Sequence, residues 1–367
     1  MLYDILLLLA IVYSLQIITF AVATFLARYP TTSSYQPTVS IVIAARNEET
    51  NIRRCLDSIV SLSYPTHLLE VMVVDDRSSD QTHAIVSEYA TRHSHIRLLK
   101  AEPESGHLRG KTNAVTQGIE VTTGEIIMFT DADCKVPRRW VQEILSYYTH
   151  EGIGIVAGFT SLTYRNWFEG VQAIDWYVLF SVAAATIRLH YPVTAVGNNL
   201  SVRRKAYEAV GGYRKIPFSV TEDYALFHAV TTHTDYAARF PLNTAMAVES
   251  QACATLRDLF RQKTRWFTGG RRMDIKSLAV FSVSYLFNLS ILVTLALGDW
   301  KVAAWSFVVK MVSDFFLAVP ALGAFKRWNL LQHFVLYEVY YFWYVLVFPL
   351  IVLFGKEVIW KERAFNE

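Results

Sequence analysis

The chain has 367 residues, of which 53% are hydrophobic and 18% are charged. This length is enough for one sizeable soluble domain together with membrane-spanning segments. The formal net charge of +3 is too small to indicate a nucleic-acid-binding protein, so we expect no nucleic-acid partner. The three cysteines lack the spacing of a metal site and fit reduced thiols in a cytoplasmic domain.

Apolar stretches near both ends of the chain predict about four transmembrane helices. Residues 5–27 contain no charged side chain, and as a helix they would extend roughly 35 Å, enough to cross a bilayer. Comparable stretches cover residues 277–297, 302–325 and 334–354. The third stretch contains Lys310 and Asp314 at helical i, i+4 spacing, which predicts that the two side chains pair.

The basic residues that flank these stretches predict a multi-pass protein of the cell membrane whose middle segment is cytoplasmic. They are Arg28, Arg271, Arg272, Lys276, Lys326 and Arg327. We therefore expect an uncleaved anchor at residues 1–29, a cytoplasmic domain at 30–270, and a membrane region with about three helices at 271–367. The basic residues Lys356, Lys361 and Arg363 conflict with four full crossings. Either the fourth stretch is re-entrant near Pro349, or the tail lies on the inner face.

The middle segment has the pattern of an α/β domain. Short apolar runs at residues 39–44, 70–75, 96–100 and 125–130 predict strands, and helical patterns lie between them. This alternation indicates a mostly parallel sheet with both faces covered by helices. Ligands bind such sheets at the carboxyl ends of the strands, which is where Asp75, Asp76, Asp131 and Asp133 are expected.

Each of these acidic pairs has two interpretations. Asp131 and Asp133 offer hard oxygen ligands for Mg²⁺ or Mn²⁺, which would also bind a diphosphate, or they form a solvated turn after a strand. Asp75 and Asp76 can accept hydrogen bonds from a nucleotide base or a ribose, or they can form an Asx-type turn.

Lys111 and Asp223 both lie near predicted helix starts. Lys111 can pair with phosphate oxygens at a helix N-terminus, or it can be a solvated charge. Thr221-Glu222-Asp223 begins a helical pattern, in which Thr221 can cap the helix and the acids favour its dipole. A carboxylate there can also accept a proton from an attacking hydroxyl. The residues alone favour the capping interpretation.

Gln262, Arg265 and Trp266 have i, i+3, i+4 spacing and share one helix face. Arginine can neutralise a diphosphate, and tryptophan can stack on a sugar or an acceptor. The alternative is an interfacial helix anchored to lipid headgroups. The apolar run at residues 171–187, broken by Asp175, is either a lipid-receiving surface or buried core.

The order of the motifs along the chain resembles that of a known protein family. The order of Asp75-Asp76, Asp131-Ala132-Asp133, Thr221-Glu222-Asp223 and Gln262-Lys-Thr-Arg-Trp266 resembles the family 2 inverting glycosyltransferases with the GT-A fold. It is most similar to their membrane-integrated branch, which includes cellulose, hyaluronan and poly-N-acetylglucosamine synthases and ceramide glucosyltransferases. The resemblance implies a UDP-sugar donor and a divalent metal, Mg²⁺ or Mn²⁺.

The resemblance also implies a role for each candidate residue, and it reverses the preference at Asp223. Asp223 would be the general base with Glu222 beside it. Asp131 would contact the donor, and Asp133 would hold the metal together with Asp131. Asp75 or Asp76 would contact the uracil or the ribose, and Lys111 would contact the nucleotide or the diphosphate. The donor and acceptor pocket would be shaped by Gln262, Arg265 and Trp266.

The small membrane part favours a lipid acceptor over a growing polymer. Two alternatives remain at this point: a processive polysaccharide synthase that extends a β-linked glycan, and a non-catalytic membrane protein that binds nucleotide-sugar. The sequence identifies no protein partner.

Overall fold

The structure is a computed structural model that describes residues 2–27, 29, 35–194, 197–270, 274–354, 358–360 and 363–365. The chain forms two compact units. The sheet unit comprises Tyr29–Ser161 and Ala195–Gln251, and the helical unit comprises Met1–Arg28, Leu162–Thr194 and Ala252–Glu367. Five residues used for the topology prediction lie outside the described ranges: Arg28, Arg271, Arg272, Lys356 and Lys361. The topology and the three-part domain division therefore stay predictions.

The strands in chain order are β1 (Val39–Ala45), β2 (Leu69–Asp75), β3 (Ile96–Lys100), β4 (Ile126–Phe129), β5 (Ile153–Ala157), β6 (Thr160–Thr163), β7 (Leu200–Arg203), β8 (Ala237–Arg239), β9 (Val248–Gln251), β10 (Val358–Trp360) and β11 (Arg363–Phe365). The helices are α1 (Leu2–Phe25), α2 (Ile52–Val60), α3 (Thr82–Arg92), α4 (Gly110–Glu120), α5 (Trp140–Leu145), α6 (Trp167–Arg188), α7 (Arg204–Ala209), α8 (Glu222–His233), α9 (Leu256–Gly269), α10 (Ile275–Ala296), α11 (Trp300–Ala324) and α12 (Phe334–Phe354). Short 3₁₀ helices cover Thr66–Leu68, Gly197–Asn199, Thr244–Met246 and Trp328–His333.

The sheet unit is built on a seven-stranded sheet with the order β3-β2-β1-β4-β7-β5-β8. Neighbours from β3 to β4 are parallel, whereas β7 is antiparallel to both β4 and β5. Val39 of β1 lies opposite Leu69 of β2 and Ile126 of β4, so the three strands end at the same edge. The predicted α/β fold with a mostly parallel sheet is confirmed.

Helices cover the buried faces of this sheet, which is why its central strands are apolar throughout. In α2, Ile52, Cys55, Leu56 and Ile59 are buried at the spacing of one helix face. On α4, Gly118 allows a close approach to the sheet, because an added Cβ would lie 2.8 Å from side-chain atoms of both Val42 and Val74. Helix α4 therefore packs closely against β1 and β2, and its first turn contains Lys111.

The helical unit contains five helices that are long and apolar enough to cross a membrane, counted over the described residues: α1, α6, α10, α11 and α12. Four of them match the predicted transmembrane stretches. The fifth, α6, is 89% buried in its most apolar window, whereas the corresponding windows of the other four are 22–33% buried. This burial favours the buried-core interpretation of residues 171–187.

A buried polar cluster joins three of these helices. Lys310 Nζ lies 2.7 Å from an Asp314 carboxylate oxygen, as the sequence predicted, and 2.5 Å from a Glu338 oxygen. The Tyr13 hydroxyl donates to Asp314 at 2.5 Å. Charges inside an apolar bundle are tolerated only when they are paired, so this cluster links α1, α11 and α12 at one level.

Candidate active site

Asp75 and Asp76 lie at the carboxyl end of β2, and each is 2% exposed. One oxygen of the Asp75 carboxylate accepts a hydrogen bond from the Ser78 N–H at 3.0 Å, and the other lies 3.0 Å from His83 Nδ1. The backbone carbonyl of Asp76 accepts from Arg46 Nη1 at 2.9 Å. These contacts hold the Asp75 carboxylate beside the loop that follows β2, and contact of Asp75 with a nucleotide stays a prediction. The sequence reasoning missed His83, which lies in the first turn of α3 and had no motif to mark it.

Lys111 connects the sheet edge to α8. Its Nζ lies 2.7 Å from a carboxylate oxygen of Asp131 and 2.7 Å from one of Glu222, and its side chain is 19% exposed. Burial acts to lower the pKa of Lys111, but the negative charges of Asp131, Glu222 and Asp223 outweigh it and hold that pKa above the usual lysine value. Lys111 is therefore a charged bridge between two acids, and the solvated-charge alternative is wrong.

Asp223 lies in the first turn of α8, directly beside the backbone of Gly197. One carboxylate oxygen accepts from the Gly197 N–H at 2.5 Å, and the other accepts from the N–H of Tyr224 at 2.8 Å. Glycine is required at residue 197, because an added Cβ would lie 2.6 Å from the Asp223 Cβ. Thr221 occupies the N-cap position of α8 without a side-chain cap bond, so the capping interpretation of Thr221 is wrong in that respect.

Asp131, Asp133 and Cys134 form a potential metal-binding group, in which their ligand atoms lie within 4.8 Å of one another. The Cys134 thiol donates to Asp133 Oδ1 at 3.4 Å, and burial followed by the two nearby carboxylates raises the pKa of this thiol well above its usual value. Asp131 and Asp133 supply carboxylate oxygens to this group. Hard oxygen ligands suit Mg²⁺ or Mn²⁺, and the residues present therefore fit such an ion.

The backbone around Asp133 is held by a residue that sequence reasoning missed. Arg54, on α2, donates from Nη2 to the Asp133 carbonyl oxygen at 2.5 Å and lies 3.4 Å from Glu249 through Nη1. Arg54 and Cys134 are far apart in the chain, and neither belongs to a recognisable motif. Only the folded structure shows that these two residues lie beside Asp133.

A cavity at the sheet edge brings together four of the residues predicted separately. Its polar lining consists of Lys111, Asp131, Glu222 and Asp223, together with Thr130, Gly197 and Tyr213. Its apolar wall comes from β1, β4 and α4 and includes Val42 and Phe129. Asp75, Asp76 and Asp133 are not among its lining residues in the described part of the chain. In this small cavity, the Lys111 ammonium can bind an anionic group, and a neighbouring carboxylate can accept a proton.

Gln262, Arg265 and Trp266 lie on α9 of the helical unit, and all three are partly buried. The Trp266 ring lies 5.7 Å from the ring of Trp176 on α6. A role for these three residues in the donor and acceptor pocket stays a prediction.

Two family models match the chain. The model described as glycosyl transferase family 2 matches residues 40–211, and the model described as glycosyl transferase family group 2 matches residues 126–355. The two matches together span all four motifs of the sequence analysis.

Curated relatives agree with these matches. A probable glycosyltransferase, YdaM of Bacillus subtilis, is 30% identical over 251 residues, which are 67% of this chain and 58% of the relative. A beta-monoglucosyldiacylglycerol synthase of Synechocystis sp. is 26% identical over 317 residues, 80% of this chain and 62% of the relative. A poly-beta-1,6-N-acetyl-D-glucosamine synthase of Staphylococcus epidermidis is 24% identical over 246 residues, 65% of this chain and 56% of the relative. The chain thus spans between about half and two thirds of the length of these relatives.

A solved structure shows the same fold. A mannosyltransferase of Pyrobaculum calidifontis, solved in complex with GDP-Man and Mn²⁺, superposes with a TM-score of 0.59 at 20% identity, covering 93% of this chain and 98% of that one. This likeness supports the GT-A fold for this chain. Because one of the family models covers more than half of the chain, this protein belongs to the family 2 glycosyltransferases.

Proposed function

We propose that this protein is a membrane-bound inverting glycosyltransferase that transfers a sugar from a UDP-sugar to a membrane lipid. The observation that carries the proposal is the position of Asp223. Its carboxylate lines the same cavity as Lys111 and Asp131, and two backbone N–H groups hold it in one orientation. An inverting displacement needs one base in line with the reacting carbon, and a carboxylate with a fixed direction meets that requirement.

In this proposal, Asp223 accepts the proton of the acceptor hydroxyl. The hydroxyl oxygen forms a bond to the anomeric carbon of the sugar while the bond from that carbon to the diphosphate breaks and UDP leaves. Glu222 holds Lys111 from one side, and Asp131 holds it from the other. The Lys111 ammonium would neutralise an oxygen of the donor diphosphate. Asp75 or Asp76 at the end of β2 would contact the uracil or the ribose.

Asp131 and Asp133 would hold a divalent cation, Mg²⁺ or Mn²⁺. The cation would neutralise charge on the diphosphate leaving group. The short distance between the two carboxylates and the hard character of their oxygens support this assignment.

The helical unit supports a lipid acceptor and a location in the cell membrane. Its helices of spanning length carry exposed apolar side chains, including Leu7 and Leu8 at 61% each. The name of the Synechocystis relative gives diacylglycerol as part of its product. We propose by analogy that the acceptor is a lipid, that the protein is multi-pass, and that the sheet unit faces the cytoplasm.

The experiment uses purified protein in lipid nanodiscs with native membrane lipid extract. Radiolabelled UDP-glucose, UDP-galactose and UDP-N-acetylglucosamine are supplied one at a time, with Mg²⁺ or Mn²⁺. We expect a product that extracts into organic solvent and carries one sugar, with inverted anomeric configuration by NMR. An insoluble product or a size ladder would instead establish a processive synthase. Metal-dependent UDP binding without turnover of any donor would establish a non-catalytic binding protein.

A further inference from the structure

The helical unit contains a buried ion pair that the proposed chemistry does not use. Lys263 Nζ of α9 lies 2.5 Å from Asp175 Oδ2 of α6, and the two residues are 2% and 4% exposed. A buried ion pair is weak evidence for stability, because desolvation of both charges offsets their attraction. The ion pair can instead fix the relative orientation of the two helices. It has one preferred geometry, whereas contact between apolar side chains tolerates rotation and sliding.

The ammonium of Lys263 also lies over two aromatic rings. It is 4.5 Å from the ring centroid of Trp266 and 4.8 Å from that of Tyr344 on α12. Lys263 and Trp266 share a face of α9 at i, i+3 spacing, so the lysine contacts the tryptophan directly. The ring of Trp266 also contacts the ring of Trp176, which follows Asp175 in α6. The indole of Trp266 is therefore held by its own helix and by α6 together.

The contacts described between α6 and the α9 segment lie on one face of α6, whereas Tyr344 approaches Lys263 from α12. Gln172, one turn before Asp175, donates from Nε2 to the Cys253 carbonyl at 3.0 Å and accepts from the Cys253 N–H at 2.9 Å. Gln172, Asp175 and Trp176 have i, i+3, i+4 spacing, and we call them the α6 contact face. This face fixes the chain just before α9 at Cys253 and the helix itself at Lys263 and Trp266.

We infer that Asp175 and Lys263 are positioning residues that set the rotation of α9 about its own axis. One residue step on a helix turns a side chain by about 100°, so a small rotation of α9 would change the direction of Trp266 and Arg265. The pair holds those side chains in one orientation during sugar transfer. The inference rests on the proposed function, together with the role in the donor and acceptor pocket that the family resemblance implies for Arg265 and Trp266.

The test uses a double variant, because Asp175→Asn alone leaves a buried cation without its counter-ion and can prevent folding. Asp175→Asn combined with Lys263→Met removes both charges at similar volume. The matched control is Arg53→Gln with Glu88→Gln, which removes an ion pair of 3.1 Å from the surface of the sheet unit. Lys263→Arg keeps the charge and the ring contact, and is the conservative variant.

We measure the Kd for UDP with Mn²⁺, and kcat and apparent KM for native lipid extract with the UDP-sugar that the wild-type protein turns over. In the double variant we expect UDP affinity within about twofold of wild type, while kcat over apparent lipid KM falls roughly 10- to 100-fold. Lys263→Arg should recover most of the loss, and the surface control should lose nothing. Wild-type transfer by the double variant, or an equal loss of UDP binding and transfer, would overturn the inference.

Tryptophan emission separates this inference from the proposed function. The double variant should shift the emission spectrum, and the shift should disappear in a Trp266→Phe background. If the wild-type protein transfers no sugar, the proposed function fails, and an unchanged emission spectrum in the double variant then overturns the positioning role independently.

Discussion

Replacing Asp223 by asparagine removes the proposed base with almost no change in side-chain shape. General-base catalysis contributes about 10²- to 10⁴-fold to rate, which corresponds to about 2.7–5.4 kcal/mol of activation free energy. We therefore expect Asp223→Asn to lower kcat by that factor. UDP affinity should stay close to wild type, because Lys111 and Asp131 keep their positions in the cavity.

The same substitution has a cost in stability that can be worked out from the hydrogen bonds. The carboxylate accepts from the Gly197 N–H and from the Tyr224 N–H, one at each oxygen. Asparagine has a single acceptor oxygen, so one N–H loses its partner. The expected loss is about 1–3 kcal/mol in the free energy of unfolding. Kinetics should therefore be measured at a temperature where the variant is shown to be folded.

The assay compares single-turnover transfer of radiolabelled sugar with equilibrium binding of UDP in the same preparation. Asp235→Asn is the matched control, because it makes the same chemical change at an exposed residue shortly after α8. It should leave both quantities unchanged. Turnover by Asp223→Asn within a few-fold of wild type would remove Asp223 as the base, and loss of UDP binding would assign it to donor recognition.

Three further substitutions test the rest of the site. Asp133→Ala should weaken UDP binding with Mn²⁺ and leave metal-free binding unchanged, because it removes a proposed metal ligand. Gly197→Ala should lower both stability and kcat, since the new methyl would lie 2.6 Å from the Asp223 Cβ, and thermal unfolding and transfer measure the two effects. Lys111→Met should weaken UDP binding roughly 10- to 100-fold, the equivalent of one charge-assisted hydrogen bond. The pKa of Lys111 is raised in the folded protein. Its contribution to stability is therefore fully present below the unfolded pKa of about 10.4 and is lost as pH rises through the folded pKa. We expect the stability difference between wild type and this variant to be constant from about pH 7 to pH 9.

Each of these expectations has a contrary result. Unchanged metal dependence in Asp133→Ala would show that the cation lies elsewhere. Wild-type kcat in Gly197→Ala would show that the direction of the Asp223 carboxylate has no effect on transfer. A stability difference for Lys111→Met that rises steadily between about pH 7 and pH 9 would show that folding lowers the pKa of this lysine, because the unfolded chain would then bind the proton more tightly than the folded chain.

The order of elements could be predicted from the sequence because it depends on local patterns. β-branched runs such as Val39–Ala45 are apolar on both faces, which is typical of a parallel strand buried between helices. Once the strands were predicted to be parallel, acidic residues that follow them were expected at one edge. That reasoning placed Asp75 and Asp131 correctly at strand ends.

By itself, then, the sequence determined the first four strands, four of the long apolar helices and the edge at which the acids gather. Tertiary structure alone decided which side chains meet there. Lys111 lies between Asp131 and Glu222, and Asp223 lies against Gly197, because a parallel sheet brings together loops that are distant in the chain. The same holds for α6, whose composition matches that of a spanning helix. Its burial depends on the neighbours that pack around it, and no periodicity within residues 167–188 encodes those neighbours.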